Sequence, residues 1–140
     1  MTPVEKGDLG EMAVAFEIMK QGFQVFKPMG NGTRIDFVVM GDRLLKVQVK
    51  ACSTIRDTAK LELRKQTLNP KYNYTYSKDD VDVFALYVAD RNQVIFITAS
   101  EIFATKTRPS MVTFRFAPTR NNQTKGCRMA SDYLVFPTDA

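Results

Sequence analysis

The chain has 140 residues, 44% of them hydrophobic and 25% charged, a size and balance that suit a single domain over residues 1–140 with a real core. No apolar run approaches the ~20 residues of a membrane helix, and the N-terminus lacks a signal-peptide pattern, so the reading is a cytoplasmic chain with no membrane partner. Its 20 Lys and Arg against 15 Asp and Glu give +5 and favour a polyanionic partner, while the absence of histidine excludes His-based acid–base catalysis, His zinc sites and Ser-His or Cys-His nucleophiles.

In chain order, Thr2 reads as an N-cap, Pro3 as the first helical residue and Glu5 as the far end of a capping box, opening a helix to about Lys20 that stops at Gly22. Leu9, Met12, Ala13, Phe16 and Met19 recur at helical spacing and are the expected buried stripe. Phe23, Val25 and Phe26 begin a strand, and Pro28 to Thr33 is a loop. A hairpin follows: Ile35 to Met40, a turn at Gly41, Asp42 and Arg43, then Leu44 to Lys50.

A three-residue turn sets Ile35 opposite Val49, Phe37 opposite Val47 and Val39 opposite Leu45, so every pair on that face is apolar. It also sets Asp36 opposite Gln48, with Lys50 on the same face. Turn chemistry favours a two-residue Gly41-Asp42 rival, because Arg43 stands where such a loop prefers glycine; burial favours the longer turn.

Thr54 to Lys78 is basic, carries alternating Tyr72, Tyr74 and Tyr76, and reads as a strand edge or a loop that touches DNA. Val81 to Ala89 is apolar on both faces and should be central in the sheet. Asp80 and Asp82 read as leading into that strand and capping its end rather than as metal ligands. Val94 to Ile97 is a strand, Ala99 to Ala104 a short helix capped by Thr98 or Ser100, and Val112 to Phe116 and Tyr133 to Phe136 are two more strands around a polar, basic stretch from Thr119 to Arg128. Cys52 and Cys127 lack metal-ligand spacing and are expected to stay reduced. The sum is an α/β protein with a mixed central β-sheet flanked by helices.

Without histidine, hydrolysis must run on carboxylates, lysine and metal-activated water. Asp36 offers an anionic oxygen, Gln48 a neutral one and Val49 a backbone carbonyl, the donors that a hard cation such as magnesium takes. Lys50 can stabilise charge developing on a phosphate, and Glu11, on the first helix, is the second carboxylate. Gly7 and Gly10 weaken that helix by ~1 kcal/mol each, which close approach to the hairpin would explain.

Asp36, then Gln48, Val49 and Lys50, with Glu11 ahead of them, resembles the PD-(D/E)xK nuclease superfamily in a Gln-x-Lys variant. The nearer likeness is to its group I intron homing endonuclease branch, carried by Lys6 to Glu11, Arg34 to Asp36 with Val38, and Asn121, Asn122, Gln123, Lys125, Arg128, Ala130, Asp132 and Tyr133. No proline precedes Asp36, and Gln48 replaces the usual acid.

The resemblance implies a restriction-endonuclease-like αβββαβ core. It also implies magnesium-dependent cleavage of double-stranded DNA by a dimer or tetramer, with manganese able to substitute and no organic cofactor. Catalysis would fall to Glu11, Asp36, Gln48 and Lys50, metal binding to Glu11, Asp36, Gln48 and Val49, and DNA contact to Lys6, Arg34, Arg120, Asn121, Asn122, Gln123, Lys125 and Arg128. The expected setting is DNA in the cytoplasm of a bacterial or phage-infected cell. A Holliday-junction-resolving nuclease and a relict DNA-binding module are the alternatives.

Overall fold

The computed structural model describes every residue except 31, 66, 105–108 and 119–127. Helix α1 spans Pro3–Lys20, and its capping box forms as expected: Glu5 N donates to Thr2 Oγ1 (3.2 Å) and Thr2 N to the Glu5 carboxylate (2.7 Å). Strands β1 (Gln24–Phe26), β2 (Phe37–Met40) and β3 (Leu44–Cys52) follow. The chain then builds β4 (Thr58–Glu62), β5 (Arg64–Lys65) and β6 (Tyr74–Thr75) before returning as β7 (Val83–Val88) and β8 (Gln93–Thr98), α2 (Ala99–Ile102), β9 (Met111–Arg115) and β10 (Arg128–Met129).

The main sheet has the order β1-β2-β3-β7-β8, antiparallel except for the β3–β7 pair. Strand β7 lies between two neighbours and all six of its residues are buried, as its two apolar faces require. A second sheet, β10-β9-β4, packs on one face of the first, and β5 and β6 form a separate hairpin. Helix α1 covers the other face. Leu45, Val47 and Val49 point to it together with Val14, Ile18, Phe37 and Val39, while alternation sends Gln48, Lys50 and Cys52 to the opposite side.

The hairpin takes the three-residue turn, with Phe37 opposite Val47, Val39 opposite Leu45 and Met40 opposite Leu44. Arg43 needs no glycine because its φ is not positive. The turn's demand falls on Gly41, where a Cβ would lie 2.9 Å from Thr138 O and 3.0 Å from Leu45 Cδ1, so the C-terminal segment fits only against glycine. The pairing stops at Phe37. The expected Ile35–Val49 and Asp36–Gln48 pairs do not form as ladder pairs, since Asp36 N bonds Val47 O (2.9 Å) one residue out of register and the strand peels away.

Two other expectations are corrected. Helix α1 buries Gly10, Val14 and Ile18, whereas Leu9, Met12, Phe16 and Met19 of the expected core stripe are exposed and Ala13 is only partly buried. Both stripes recur at helical spacing, and the small, branched one wins because a Cβ on Gly10 would sit 3.3 Å from Ala51 Cβ. Gly7 has nothing within 4 Å, so close approach accounts for one glycine and not both. Tyr133 to Phe136 is not a strand: Ala130–Tyr133 is a 3-10 helix, and Phe136 plugs the α1-side core against Phe23 and Phe96.

Candidate active site

The site grows out of the interrupted ladder. Where β2 leaves the sheet, the Val49 N–H loses its backbone acceptor, and the Asp36 carboxylate takes its place: Val49 N donates to Asp36 Oδ2 at 2.7 Å. A hydrogen bond to a charged acceptor fixes this side chain more firmly than solvent exposure would. One Asp36 oxygen is thereby committed to the fold and the other is left for chemistry.

Glu11 comes down on Asp36 from α1. The Gly10–Ala51 contact sets the helix close to β3, and the next residue carries its carboxyl within hydrogen-bonding reach of Asp36. Burial, the contact with Asp36 and the negative charges of Asp36 and Asp8 hold Glu11 above the usual carboxylate range, with Lys27 pulling the other way. Two carboxyls pressed together in this way keep a proton or recruit a cation. They open on a cleft of about 270 Å³ lined also by Asp8, Lys27, Thr33 and Ile35.

Gln48 turns its Nε2 onto Val49 O (3.3 Å), and its Oε1 is buried with no hydrogen-bond partner. It is the only such side-chain atom among the described residues. An unsatisfied buried acceptor costs about 1–3 kcal/mol, so its retention here calls for a ligand or a function. Lys50 is partly buried and lies in the field of Asp36, Lys65 and Glu62; its Nζ sits 5.1 Å from the centroid of the Tyr76 ring, and desolvation lowers its pKa from the ordinary lysine value.

Among the described residues no three His, Cys, Asp or Glu side chains are grouped so that they alone could hold a metal ion, although Asp8 shares the cleft with Glu11 and Asp36. The candidate donors are instead the Glu11 and Asp36 carboxyls in contact and, from strand β3, the Gln48 amide oxygen on the side of the sheet away from α1 and the Val49 carbonyl that accepts from Gln48 Nε2. That set, with Gln48 Oε1 unpartnered and two acids in contact, fits a hard divalent cation.

Of the remaining expected residues, Arg34 stacks its guanidinium 3.3 Å from the Tyr74 ring centroid and faces Tyr76 and Asp80. Lys6 lines a different groove, with Met1, Leu9, Ala51 and Tyr87. Arg128 is engaged with Glu101 (2.9 Å), which also accepts from the Tyr133 hydroxyl (2.6 Å), beside α2. Arg120, Asn121, Asn122, Gln123 and Lys125 lie outside the described residues. Asp80 and Asp82 lead into β7 as expected: Asp82, just ahead of the strand, accepts from Lys46 N (2.8 Å) of β3 and from Arg43 (3.0 Å), while Asp80 caps the preceding turn, accepting from Ser77 N (2.7 Å) and the Tyr74 hydroxyl.

Sequence reasoning missed Lys27 and Tyr76. Lys27 carries no signal beyond being a lysine after a strand. Tyr76 had one, the tyrosine alternation around β6: Tyr72, ending a 3-10 turn, is exposed, Tyr74 carries Arg34, and Tyr76 is 4% exposed beneath Lys50 with its hydroxyl pKa pushed up to about 12 by burial and by Asp36.

Comparison with known proteins adds three findings. The PD-(D/E)XK endonuclease family model matches residues 1–136. Protein 5.3 of Escherichia phage T7 is 33% identical over 91 residues, 64% of this chain and 75% of that protein. The structure of a bacterial homing endonuclease, I-Ssp6803I, superposes with a TM-score of 0.73 at 22% identity, covering 95% of this chain and 88% of that one, a likeness that speaks for the restriction-endonuclease-like fold.

Proposed function

Because the chain belongs to the PD-(D/E)XK endonuclease family, we propose that it is a magnesium-dependent endonuclease that hydrolyses phosphodiester bonds of double-stranded DNA, in the manner of a site-specific homing enzyme. The observation that supports this reading most is the contact of the Glu11 and Asp36 carboxyls, with Gln48 Oε1 left unpartnered on the strand whose Val49 N–H holds Asp36.

Glu11, Asp36 and Gln48, with the Val49 carbonyl, would hold the ion; manganese offers the same oxygen preference. When bound, the ion supplies neutralisation of phosphate charge and makes water more acidic. The chain's own residues do the rest. Asp36, pinned by the Val49 N–H, is a pre-set anchor that needs no reordering. Lys50, set over the Tyr76 ring and in the field of Asp36, would present a cation where negative charge builds up as water oxygen adds to phosphorus and the bond to the leaving strand end breaks. Lys27 and Arg34, on either side of the loop that carries Asp36, are placed to steer the DNA backbone. One such centre cuts one strand, so cleavage of a duplex calls for two chains.

The test is incubation of the protein with long duplex DNA and with a four-way junction, each with magnesium and with chelator. Magnesium-dependent cleavage of the duplex that is lost in Lys50→Ala supports the reading. Cleavage of the junction alone would replace it with junction resolution. Magnesium-independent binding without cleavage, unchanged in Asp36→Asn, would leave a DNA-binding module.

A further inference from the structure

The outer face of α1 is apolar and unpartnered among the described residues. Leu9, Met12, Phe16 and Met19 are 42%, 70%, 67% and 62% exposed, and Met1 continues the surface at the helix start. Together these side chains present on the order of 600 Å² to solvent, at the top of the ~300–600 Å² of a typical monomer's largest patch and approaching the ~800 Å² per partner of a standard interface. Their spacing is three, four and three residues, the repeat of a helix–helix seam.

We infer that this face is where two copies of the chain pair, α1 against α1 and antiparallel. The flanks of the helix argue against other occupants. They carry Asp8, Glu11 and Glu17 against Lys6 and Lys20, and Glu5 adds an acid in line with the stripe at its N-terminal end, whereas a helix that lies on a membrane surface or tracks phosphates is rich in cations. A second copy needs no such excess, and a two-fold seam is self-complementary. With the axis crossing between Met12 and Phe16, Leu9 of each copy meets Met19 of the other and Met12 meets Phe16.

The same geometry gives the pairing a purpose, and here it rests on the proposed nuclease reading. At ~100° per residue the exposed stripe and the buried Gly10–Val14–Ile18 stripe lie on opposite sides of the helix, with Glu11 on one flank between them. Antiparallel pairing about an axis pointing along that flank leaves both Glu11 flanks on the same side of the dimer, whereas parallel pairing would turn them to opposite sides. A rise of ~1.5 Å per residue and helix axes ~8–10 Å apart put the two Glu11 side chains on the order of 15–20 Å apart. That spacing is commensurate with a DNA groove ~6–12 Å wide plus the flanking backbones, so two centres can address the two strands of one duplex.

Sedimentation velocity from low to high micromolar concentration tests the association without reference to activity. The native protein should dimerise, and Phe16→Glu should raise the dissociation constant about 100-fold or more while circular dichroism stays native. Leu68→Glu, at another fully exposed apolar residue, should change nothing. In a background of Cys52→Ser and Cys127→Ser, the Met12→Cys, Phe16→Cys double variant should form an interchain disulfide, while Met12→Cys alone should not, because the antiparallel register separates its two copies beyond the ~7 Å limit on Cα atoms.

A monomer at every concentration, a dimer indifferent to Phe16→Glu, or efficient crosslinking by Met12→Cys alone would each overturn the inference. On supercoiled plasmid, the native dimer should yield linear DNA and Phe16→Glu only nicked circles; linear product from the monomeric variant at the native rate would overturn the two-centre argument. A dimer that cleaves no DNA would refute the nuclease reading and leave the interface standing.

Discussion

Replacing Glu11 with glutamine should make the metal-free protein more stable and abolish its cation response. Glu11 and Asp36 are in contact, and two unit charges ~4 Å apart repel by ~1 kcal/mol in water and ~4 kcal/mol at an effective dielectric near 20. Glu11 is only partly buried and Lys27 stands near, so screening keeps the figure at the low end, ~1 kcal/mol, or roughly 3–5 °C in melting temperature for a domain of this size.

The sign follows from linkage. Because the folded pKa of Glu11 is raised, the native state binds more protons than the unfolded state between the two values, and stability falls as pH rises through that window. The penalty is therefore absent below the unfolded value near 4.3 and complete above the folded one. Thermal unfolding in chelator should show Glu11→Gln melting above the native protein at pH 7.5 and level with it near pH 4. Adding magnesium should then raise the native melting temperature and leave the variant nearly unmoved. A variant that melts lower at both pH values, or whose gain persists at pH 4, would refute the claim that burial, together with the contact and charge of Asp36, makes the ionised Glu11 carboxyl unfavourable.

Gln48→Met removes the orphaned amide oxygen at similar volume and should stabilise the metal-free protein by about 1 kcal/mol while abolishing magnesium-induced stabilisation; denaturant unfolding with and without the ion reads both. Asp36→Asn keeps an acceptor for the Val49 N–H and should fold normally without cleaving DNA, whereas Asp36→Ala should lose a further 1–3 kcal/mol, roughly, by leaving that donor unpaired. Gly7→Ala, with open space around the added methyl, should stabilise by about 1 kcal/mol; Gly10→Val must push α1 off Ala51 and Tyr87 and should cost about 1–3 kcal/mol and most of the cleavage activity, since Glu11 rides on that contact. Tyr76→Phe should leave cleavage within a few-fold of native, while Tyr76→Leu, which removes the ring under Lys50, should lower kcat with little change in KM in single-site cleavage assays.

What could be read from the sequence follows the range of the forces involved. The hairpin register was legible because Phe37, Val39, Leu45 and Val47 are forced into apolar pairs by their own periodicity, and Thr2, Pro3 and Glu5 spell a local helix cap. The inner face of α1 was not, because two apolar stripes share the period and only the fit of Gly10 against Ala51 separates them. The β4–β9 pairing joins Thr58–Glu62 to Met111–Arg115, a contact some 50 residues apart that leaves no local trace. Tyr133 to Phe136 has strand-like composition, yet burying Phe136 against Phe23 and Phe96 outweighs a propensity that spans ~1 kcal/mol.

The grouping of Asp36 with Lys50 was legible from alternation, but the reason Asp36 is fixed was not. A continuous ladder would have placed it opposite Gln48 as one more cross-strand pair on a sheet surface. The sheet instead gives up backbone pairing beyond Phe37, and the carboxylate fills the vacancy at Val49 N. Leaving the ladder moves Asp36 off the plane of the sheet, where a helix on one face can reach it while a lysine on the other still feels its charge. A regular hairpin would have kept Glu11 and Lys50 on opposite sides of a two-sided sheet. The broken register is thus what lets Asp36 meet Glu11 on one side and Lys50 on the other, the arrangement the proposed site needs, and restoring it should dismantle that arrangement without touching any of its side chains.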